Sequence, residues 1–516
     1  MARVFPITLT SPGRRGLNKE RANDLLGPEW ATDALNCVLN REGRIAARKG
    51  WTNQTIGAAS DNIVVLHEYV KGDASVEMIA AGGTKIFSGI TDFTDPSNDI
   101  TPSTAPTADN WQFLNFNDKV IGIQEDHKMI VYDGSGDFSD LVAVSGTAPK
   151  GVAGCAAFGR LWVIDDDGQT IKYCALLDET RWSESDGGGS IDLRNVWTQG
   201  MDRAVAVIGF GANLIVFGTN HIIFYTDAAG SELGVNPNQL YVVDTIEGTG
   251  CVARDSIQPI GEGDVVYLSR HGIQALGRVI REKSNPTVTI SKNIRTYLSN
   301  LLTQQVTTSI RSAYSPEHGL YLLLLPDARR VIVADTRFLF TDEDGALVAP
   351  MLEWTFDLMP MSVCVRRNGD LLFGFDGKVG EYEGNLDGGE AYSVEYSSPW
   401  LLVEDPTIAN GLKILKEIPT IVQVNGNTTI SWLWEFDFSG EVFTGRTSHV
   451  AAGLAEWGEA EFNVDEFSGG LILQKNIVEG QGEGQFLRVG LRMNVDGFDF
   501  VLQQIKLLFK LGRMAA

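Results

Sequence analysis

Seven times between Ser75 and Glu383 the chain repeats one pattern, an apolar strand, a polar turn and a second apolar strand. The pairs fall at Ser75–Ile90, Asp118–Gly134, Arg160–Ala175, Asn213–Asp227, Asp264–Gly277, Gly319–Asp335 and Asp370–Glu383. They recur every ~40–55 residues, a period typical of radial β-architectures. Many of these strands are apolar at consecutive positions, as in Leu214–Phe217 and Ile222–Tyr225. Such runs mark strands buried on both faces. One small sheet cannot cover both of its faces, whereas copies stacked around an axis cover each other's. Residues 59–390 are therefore expected to form a β-propeller of about seven blades, with six also possible, in an all-β protein.

The flanks read differently. In 391–516 the strands alternate cleanly: Ile430, Trp432, Trp434, Phe436 and Phe438 share one face. Leu487, Val489, Leu491, Met493 and Val495 lie opposite Arg488, Arg492 and Asn494. One dry face and one wet face predict a C-terminal antiparallel β-sandwich as a separate domain. Residues 1–58 are polar and irregular. They are expected to form a docking arm with a hairpin, Ala34–Leu39 against Arg44–Arg48; a strand that closes the propeller ring is equally open. Between the fifth and sixth pairs, Ile290–Leu302 predicts a short helix, with Ser291 as its cap and Ile294, Leu298 and Leu301 on one face.

Composition bounds the chemistry. With 516 residues, 43% hydrophobic and 21% charged, the chain reads as globular. No apolar stretch reaches the ~18–20 residues of a membrane helix, so no membrane anchor is expected. The N-terminal residues lack an apolar export signal, which predicts a product of the cytoplasm. The formal charge is −24, too acidic a balance for gripping DNA phosphates, which requires Lys and Arg to displace counterions. The N-terminal region is locally basic, and Arg14, Arg15, Lys19, Arg21, Arg44, Arg48 and Lys49 are the candidate interface residues for an acidic neighbour. The five cysteines show no CxxC spacing and the six histidines no HxH or HxxxH pair. No nucleophile elbow, phosphate loop or HExxH sequence is present. Asp165–Gly168 starts like a calcium loop, but Leu176 stands where the twelfth-position acid belongs, so a solvated hairpin turn is expected. His221 and His271 sit beside turns. Trp432 and Trp434 could stack a sugar or base, but their strand face reads as core. No catalytic residue, cofactor or metal ligand is assigned, and the chain is not expected to be an enzyme.

Several stretches bear a family likeness. Within Leu214–Ile273, Ile215-Val216-Phe217-Gly218, Ile223, Tyr225, Gly248–Cys251 and Tyr267-Leu268-Ser269 follow a strand pair, a glycine-rich crossing and a second strand. This resembles the tail hub or nozzle proteins of short-tailed bacteriophages, the packaged-DNA stabilisation protein family. The likeness continues through Ile290–Asn300, Ile310–Asp335, Trp354 and Phe373–Gly384, and takes in Ala34–Trp51 and Phe486–Arg513; residues 440–480 depart from it. It is carried by strand pattern rather than by one motif. The resemblance implies a virion protein, made in the host cytoplasm and assembled as a homo-hexamer in the phage tail. An adaptor and portal ring would lie above it, and tail fibre, spike or needle proteins below. Double-stranded DNA would pass without sequence-specific binding and be retained until ejection. The alternative is a carbohydrate-binding or glycan-cleaving propeller of the phage tail, which would place paired carboxylates at a channel mouth.

Overall fold

The computed structural model describes residues 4–104, 106, 110–197, 200–227, 237–260, 263–276, 288–342, 345–402, 413–450 and 472–511. Each repeated strand pair forms the two middle strands of an antiparallel sheet, and the seven sheets follow one another around an axis. Six blades have four strands. Blade 1 (Val65–Val70, Val76–Gly82, Lys85–Ser88) has three, with the bridge between Phe87 and Asp99 at its outer position. The inner strands are Val65–Val70, Gln112–Phe116, Ala153–Ala157, Ala204–Phe210, Gln258–Ile260, Arg311–Ser315 and Ser362–Val365.

The consecutive apolar runs explain the ring. In blade 4, Leu214 and Val216 pack into the core shared with blade 3, whereas Ile215 and Phe217 pack into the core shared with blade 5. In blade 3, Leu161 and Val163 face blade 2, and Trp162 and Ile164 face blade 4. Alternate residues of one strand thus feed opposite interfaces, as the two-faced pattern requires. The circle closes where Leu372 and Val379 of blade 7 join Ile63, Met78 and Ala80 beside blade 1. Blade 7 takes its outer strand, Thr52–Asn53, from the N-terminal region, paired with Gly380 and Glu381.

The C-terminal residues form two facing sheets. One runs Asp33–Leu35, Tyr392–Ser397, Phe486–Val495, Thr428–Phe436 and Val442–His449. The opposing sheet runs Cys37–Leu39, Ile45–Ala47, Phe500–Leu511, Lys413–Val424 and Ile472–Glu479, with Val4–Thr10 also paired to Phe500–Leu511. Trp432, Trp434, Leu487, Val489, Leu491, Met493 and Val495 are buried between the sheets with Ile505, Leu507 and Phe509. Phe438 departs from the expected face. The strand ends at Phe436, and Asp437 and Phe438 turn through positive φ of 47° and 57°, leaving Phe438 exposed.

Sandwich and propeller are more closely joined than the alternation pattern suggested. The outer strand of blade 6, Met351–Trp354, pairs in parallel with Asp33–Leu35, so the blade continues directly into a sandwich sheet, making ten strands in all. One apolar core runs through blades 5, 6 and 7 and the sandwich. Residues 4–58 are accordingly woven into the body: Val4–Thr10 and the hairpin Cys37–Leu39/Ile45–Ala47 lie in one sandwich sheet, Asp33–Leu35 in the other, and Thr52–Asn53 closes the ring. Thr52–Asn53 thus supplies a ring-closing strand, one of the two roles the sequence leaves open for this region.

The helix spans Arg295–Leu302, with Ile294 and Leu298 buried and Leu301 half-buried. Ser291 does not cap it; its hydroxyl accepts from the Ile273 amide of blade 5 at 2.9 Å. Glu20 serves the helix start instead, its carboxylate accepting from the Thr296 amide (2.5 Å) and hydroxyl (2.9 Å). A carboxylate there also offsets the positive end of the helix dipole.

Trp354 concentrates the shared core. It is fully buried, stacks on Tyr382 at 5.3 Å and donates from Nε1 to the Cys37 carbonyl at 2.8 Å. Trp354→Ala is expected to cost about 3–5 kcal/mol. Because the core is continuous, circular dichroism and tryptophan fluorescence during urea unfolding should shift together as one transition; two separated transitions would contradict a common core.

Candidate functional site

The inner strands leave a funnel on the propeller axis. Its narrow part is a cavity of 250 Å³ lined by residues that include His67, Gln112, Arg254, Asp255, Arg311 and Ser312. It adjoins a wider cavity of 670 Å³, where Tyr314, Glu317, Cys364, Arg366 and Arg367 form the mouth; both are lined by Gln258, Ser312 and Val363. The mouth is built from the turns that follow the inner strands of blades 6 and 7. The far end is built from the segments that lead into inner strands.

A polar plug closes the far end. Arg254, just before the inner strand of blade 5, donates to the Asn110 Oδ1 at 2.9 Å and to the Val152 carbonyl at 3.2 Å, reaching segments that precede blades 2 and 3. Arg311 of blade 6 donates to the same Asn110 Oδ1 at 3.0 Å and to the Val64 carbonyl, next to blade 1, at 3.2 Å. Asp255 pairs with both guanidiniums, at 2.8 and 3.2 Å. Burial pushes the Asp255 carboxyl up, but the two arginines outweigh it and hold it below the usual carboxylate range. Five blades are thereby pinned across the axis by groups that satisfy one another, which is what burying charge requires.

Burial shifts two titratable side chains around the funnel, His67 and Cys364. His67 Nε2 meets the Asn115 Oδ1 at 2.9 Å, and burial pushes the ring down to about 4 against the smaller pull of that hydrogen bond. It is neutral at physiological pH. Burial pushes the Cys364 thiol up to about 12, so the nucleophilic thiolate is suppressed. At the mouth, Arg366 pairs with Asp370 at 3.1 Å, and the Arg367 amide donates to Glu68 at 2.8 Å. Outside the funnel, His221 opens the third strand of blade 4, directly after the turn. Its Nδ1 lies 2.9 Å from Asp202, whose carboxylate also accepts from the Thr219 hydroxyl and the Asn220 amide. Burial pushes Asp202 up, but these hydrogen bonds outweigh it and hold the carboxyl low. At the Asp165–Gly168 turn, Lys172 pairs with Asp165 at 2.6 Å, and Asp167 accepts from the Gln169 and Thr170 amides. No group of three or more His, Cys, Asp or Glu suited to a metal occurs among the described residues.

The seven basic residues singled out from the sequence have separate fates. Arg14 and Arg21 are exposed. Arg15 pairs with Glu29 at 3.2 Å and lies over Trp30 and Phe340. Lys19 sits 3.8 Å from Glu353 and 4.2 Å from the Tyr297 ring centre. Arg44 pairs with Glu42 at 2.5 Å, and Lys49 with Asp499 at 2.8 Å. Arg48 corrects the expectation of a surface group, being 0% exposed. Its guanidinium meets Asp387 through two hydrogen bonds, at 2.6 and 2.8 Å, and donates to Asn36 and to the Lys49 and Thr355 carbonyls. Phe356 and Tyr392 flank it at 4.1 and 4.3 Å. The plug residues, by contrast, carried no sequence signal: Asn110, Arg254, Asp255 and Arg311 lie in three separate segments of irregular pattern.

No protein-family model matches the chain, and no curated protein does. Among solved structures it is similar to YCF48 from Cyanidioschyzon merolae, at 11% identity over 65% of this chain and 98% of that one, with a TM-score of 0.36. It is also similar to the WD40 domain of Toxoplasma gondii coronin, at 9% identity over 74% and 86%, with a TM-score of 0.35. Hsv2 from Kluyveromyces lactis follows at 9% identity over 53% and 81%, with a TM-score of 0.33. Scores this low carry no functional argument, and the propeller rests on its own sheet topology.

Two expectations follow. Arg48→Ala would strand Asp387 in the interior and should destabilise the protein by about 3–5 kcal/mol in chemical denaturation. For His67, the folded value near 4 lies below the 6.5 of the free side chain. Between those values the unfolded chain holds a proton that the folded chain lacks. Stability should therefore be indifferent to this group above pH 6.5 and fall as the pH drops through the window. His67→Gln should flatten that part of the stability profile, and a resonance assigned to the His67 imidazole by its loss in that variant, titrating near 6.5 in the folded protein, would refute the assignment.

Proposed function

We propose that the chain is a structural subunit of a short-tailed phage tail, forming the nozzle or hub ring that extends the DNA channel below portal and adaptor. The observation that carries this reading is the ten-stranded sheet shared by blade 6 and the sandwich. A hinge between two bodies would let each rotate; a common sheet and core make one stiff wedge, as a ring under DNA pressure needs. The strand-pattern likeness of Leu214–Ile273 and the other stretches supports the same reading.

The plugged axis adds a constraint. A cavity of 250 Å³ ending at Arg254, Asp255 and Arg311 has no room for a duplex, so the DNA path is assigned to the space enclosed by several copies. A chain of formal charge −24 would let the duplex slide there without gripping it. Adaptor and portal proteins above, and fibre, spike or needle proteins below, are its proposed neighbours in the virion.

The glycan-binding or glycan-cleaving alternative draws on the open 670 Å³ mouth with its Glu317, Arg366 and Arg367. Electron microscopy of the purified chain, alone and with tail proteins, separates the two. The nozzle reading expects six-membered rings with a central opening, presence in virions, and early loss of packaged DNA when the protein is omitted. A monomer that binds or hydrolyses host-surface glycan would overturn it in favour of the alternative.

A further inference from the structure

Exposed sheet edges are hazards because their free amides and carbonyls pair with any passing strand, and folds blunt them by shortness, proline, charge or cover. The outer edges of this propeller are blunted almost everywhere. They are two residues long in blades 2, 5 and 7 (Ser139–Asp140, Val288–Thr289, Thr52–Asn53) and four in blade 3 (Gly189–Asp192). Blade 6 is covered by Asp33–Leu35. In the sandwich, the edge strand Val4–Thr10 carries Pro6, and Val442–His449 turns Thr444, Arg446 and Ser448 outward.

Among the described residues, two edges escape this treatment. The outer strand of blade 4, Leu240–Glu247, is eight residues long and pairs along one side only among the described residues. Tyr241, Val242 and Val243 in its centre are 49%, 37% and 52% exposed. Ile472–Glu479, also eight residues, pairs with Lys413–Val424 alone among the described residues and leaves Leu473 and Ile477 61% and 57% exposed. Each carries one charge near its middle, and the two are opposite: Asp244 in the first, Lys475 in the second. An antiparallel pairing that overlaps the two strands end to end sets Val242 opposite Ile477 and Asp244 opposite Lys475. Apolar and opposite-charge cross-strand pairs both favour such a ladder.

We infer that these two strands form one intermolecular contact, the blade 4 edge of one copy adding to the Ile472–Glu479 edge of the next. The occupant of each edge is a second copy of this chain. The fold already uses strand addition to cover blade 6, and the same chemistry between copies completes both remaining edges. Because the two surfaces differ, the contact is head-to-tail, and repetition closes into a ring when the rotation allows. The inference rests on the ring reading above and names its contact.

Cross-linking tests it in a Cys364→Ser background, the other cysteines being buried. Val242→Cys/Ile477→Cys on one chain should give an oxidation ladder from dimer up to the full ring on a non-reducing gel. A mixture of the two single variants should stop at dimers, and neither single variant alone should cross-link. A cross-link from Val242→Cys alone would mean that like edges meet, and would overturn the contact. So would a ring, seen by light scattering, in which the double variant stays uncross-linked; that outcome leaves the ring reading standing. A monomer at every concentration, with or without tail proteins, removes both.

Discussion

A sheet with two apolar faces cannot exist alone in water, and every other feature of this protein follows from that. Leu320–Leu325 is buried at all six positions, and full burial of each such side chain is worth about 1.5–3 kcal/mol. Three alternate residues need one neighbouring blade and three need the other. Seven such sheets satisfy each other only in a closed circle, and closure depends on residues hundreds of positions apart, Thr52 and Asn53 against Gly380 and Glu381. Pairings of that separation slow folding, since the entropy of closing a long loop is lost before the contact repays it. The N-terminal region is therefore the clasp of the ring.

The same region joins the two bodies. Met351–Trp354, buried at all four positions, would be a bare edge if blade 6 ended there; Asp33–Leu35 covers it and carries the sheet onward. Arg48 stands behind that junction. All five of its N–H groups find acceptors, two on Asp387 and the others on Asn36, Lys49 and Thr355, and the Tyr392 hydroxyl in turn donates to the Arg48 carbonyl. A buried guanidinium is tolerable when each donor is filled. The filled set fixes a single arrangement of hairpin, propeller and sandwich.

What could be read from the sequence was set by how far its determinants spread along the chain. The middle strands of each blade were legible because their signal is local: consecutive apolar residues, a turn, consecutive apolar residues. Outer strands such as Ser139–Asp140 and Thr52–Asn53 were not, for two polar residues carry no periodicity. Arg48 read as surface because its partner Asp387 lies 339 positions away and a lone arginine in a polar stretch has no local mark of burial. Phe438 extended the alternation of Thr428–Phe436 by one step, but the left-handed turn at Asp437 had already broken the strand. The candidate site was the least legible. A funnel mouth and its plug are assembled from one residue per loop, and only the ring brings those loops together.

The plug gives the propeller a direction. Inner strands crowd at the axis, where side chains from several blades compete for little space, and this fold fills one end with hydrogen-bonded charge while leaving the other open. Two guanidiniums against one carboxylate leave a net positive charge there, shared among the Asn110, Val64, Val152 and Thr308 oxygens. Polar pins of this kind hold geometry more tightly than apolar packing, because each donor has one acceptor position that satisfies it. A stiff closed hub at one end suits transmission of force around the wheel. On the proposed reading the duplex never enters that hub, and its passage depends on surfaces that copies present to one another. The paired edges of blade 4 and the sandwich would then set the ring's width, since the rotation between neighbours is fixed by where one sheet meets the next.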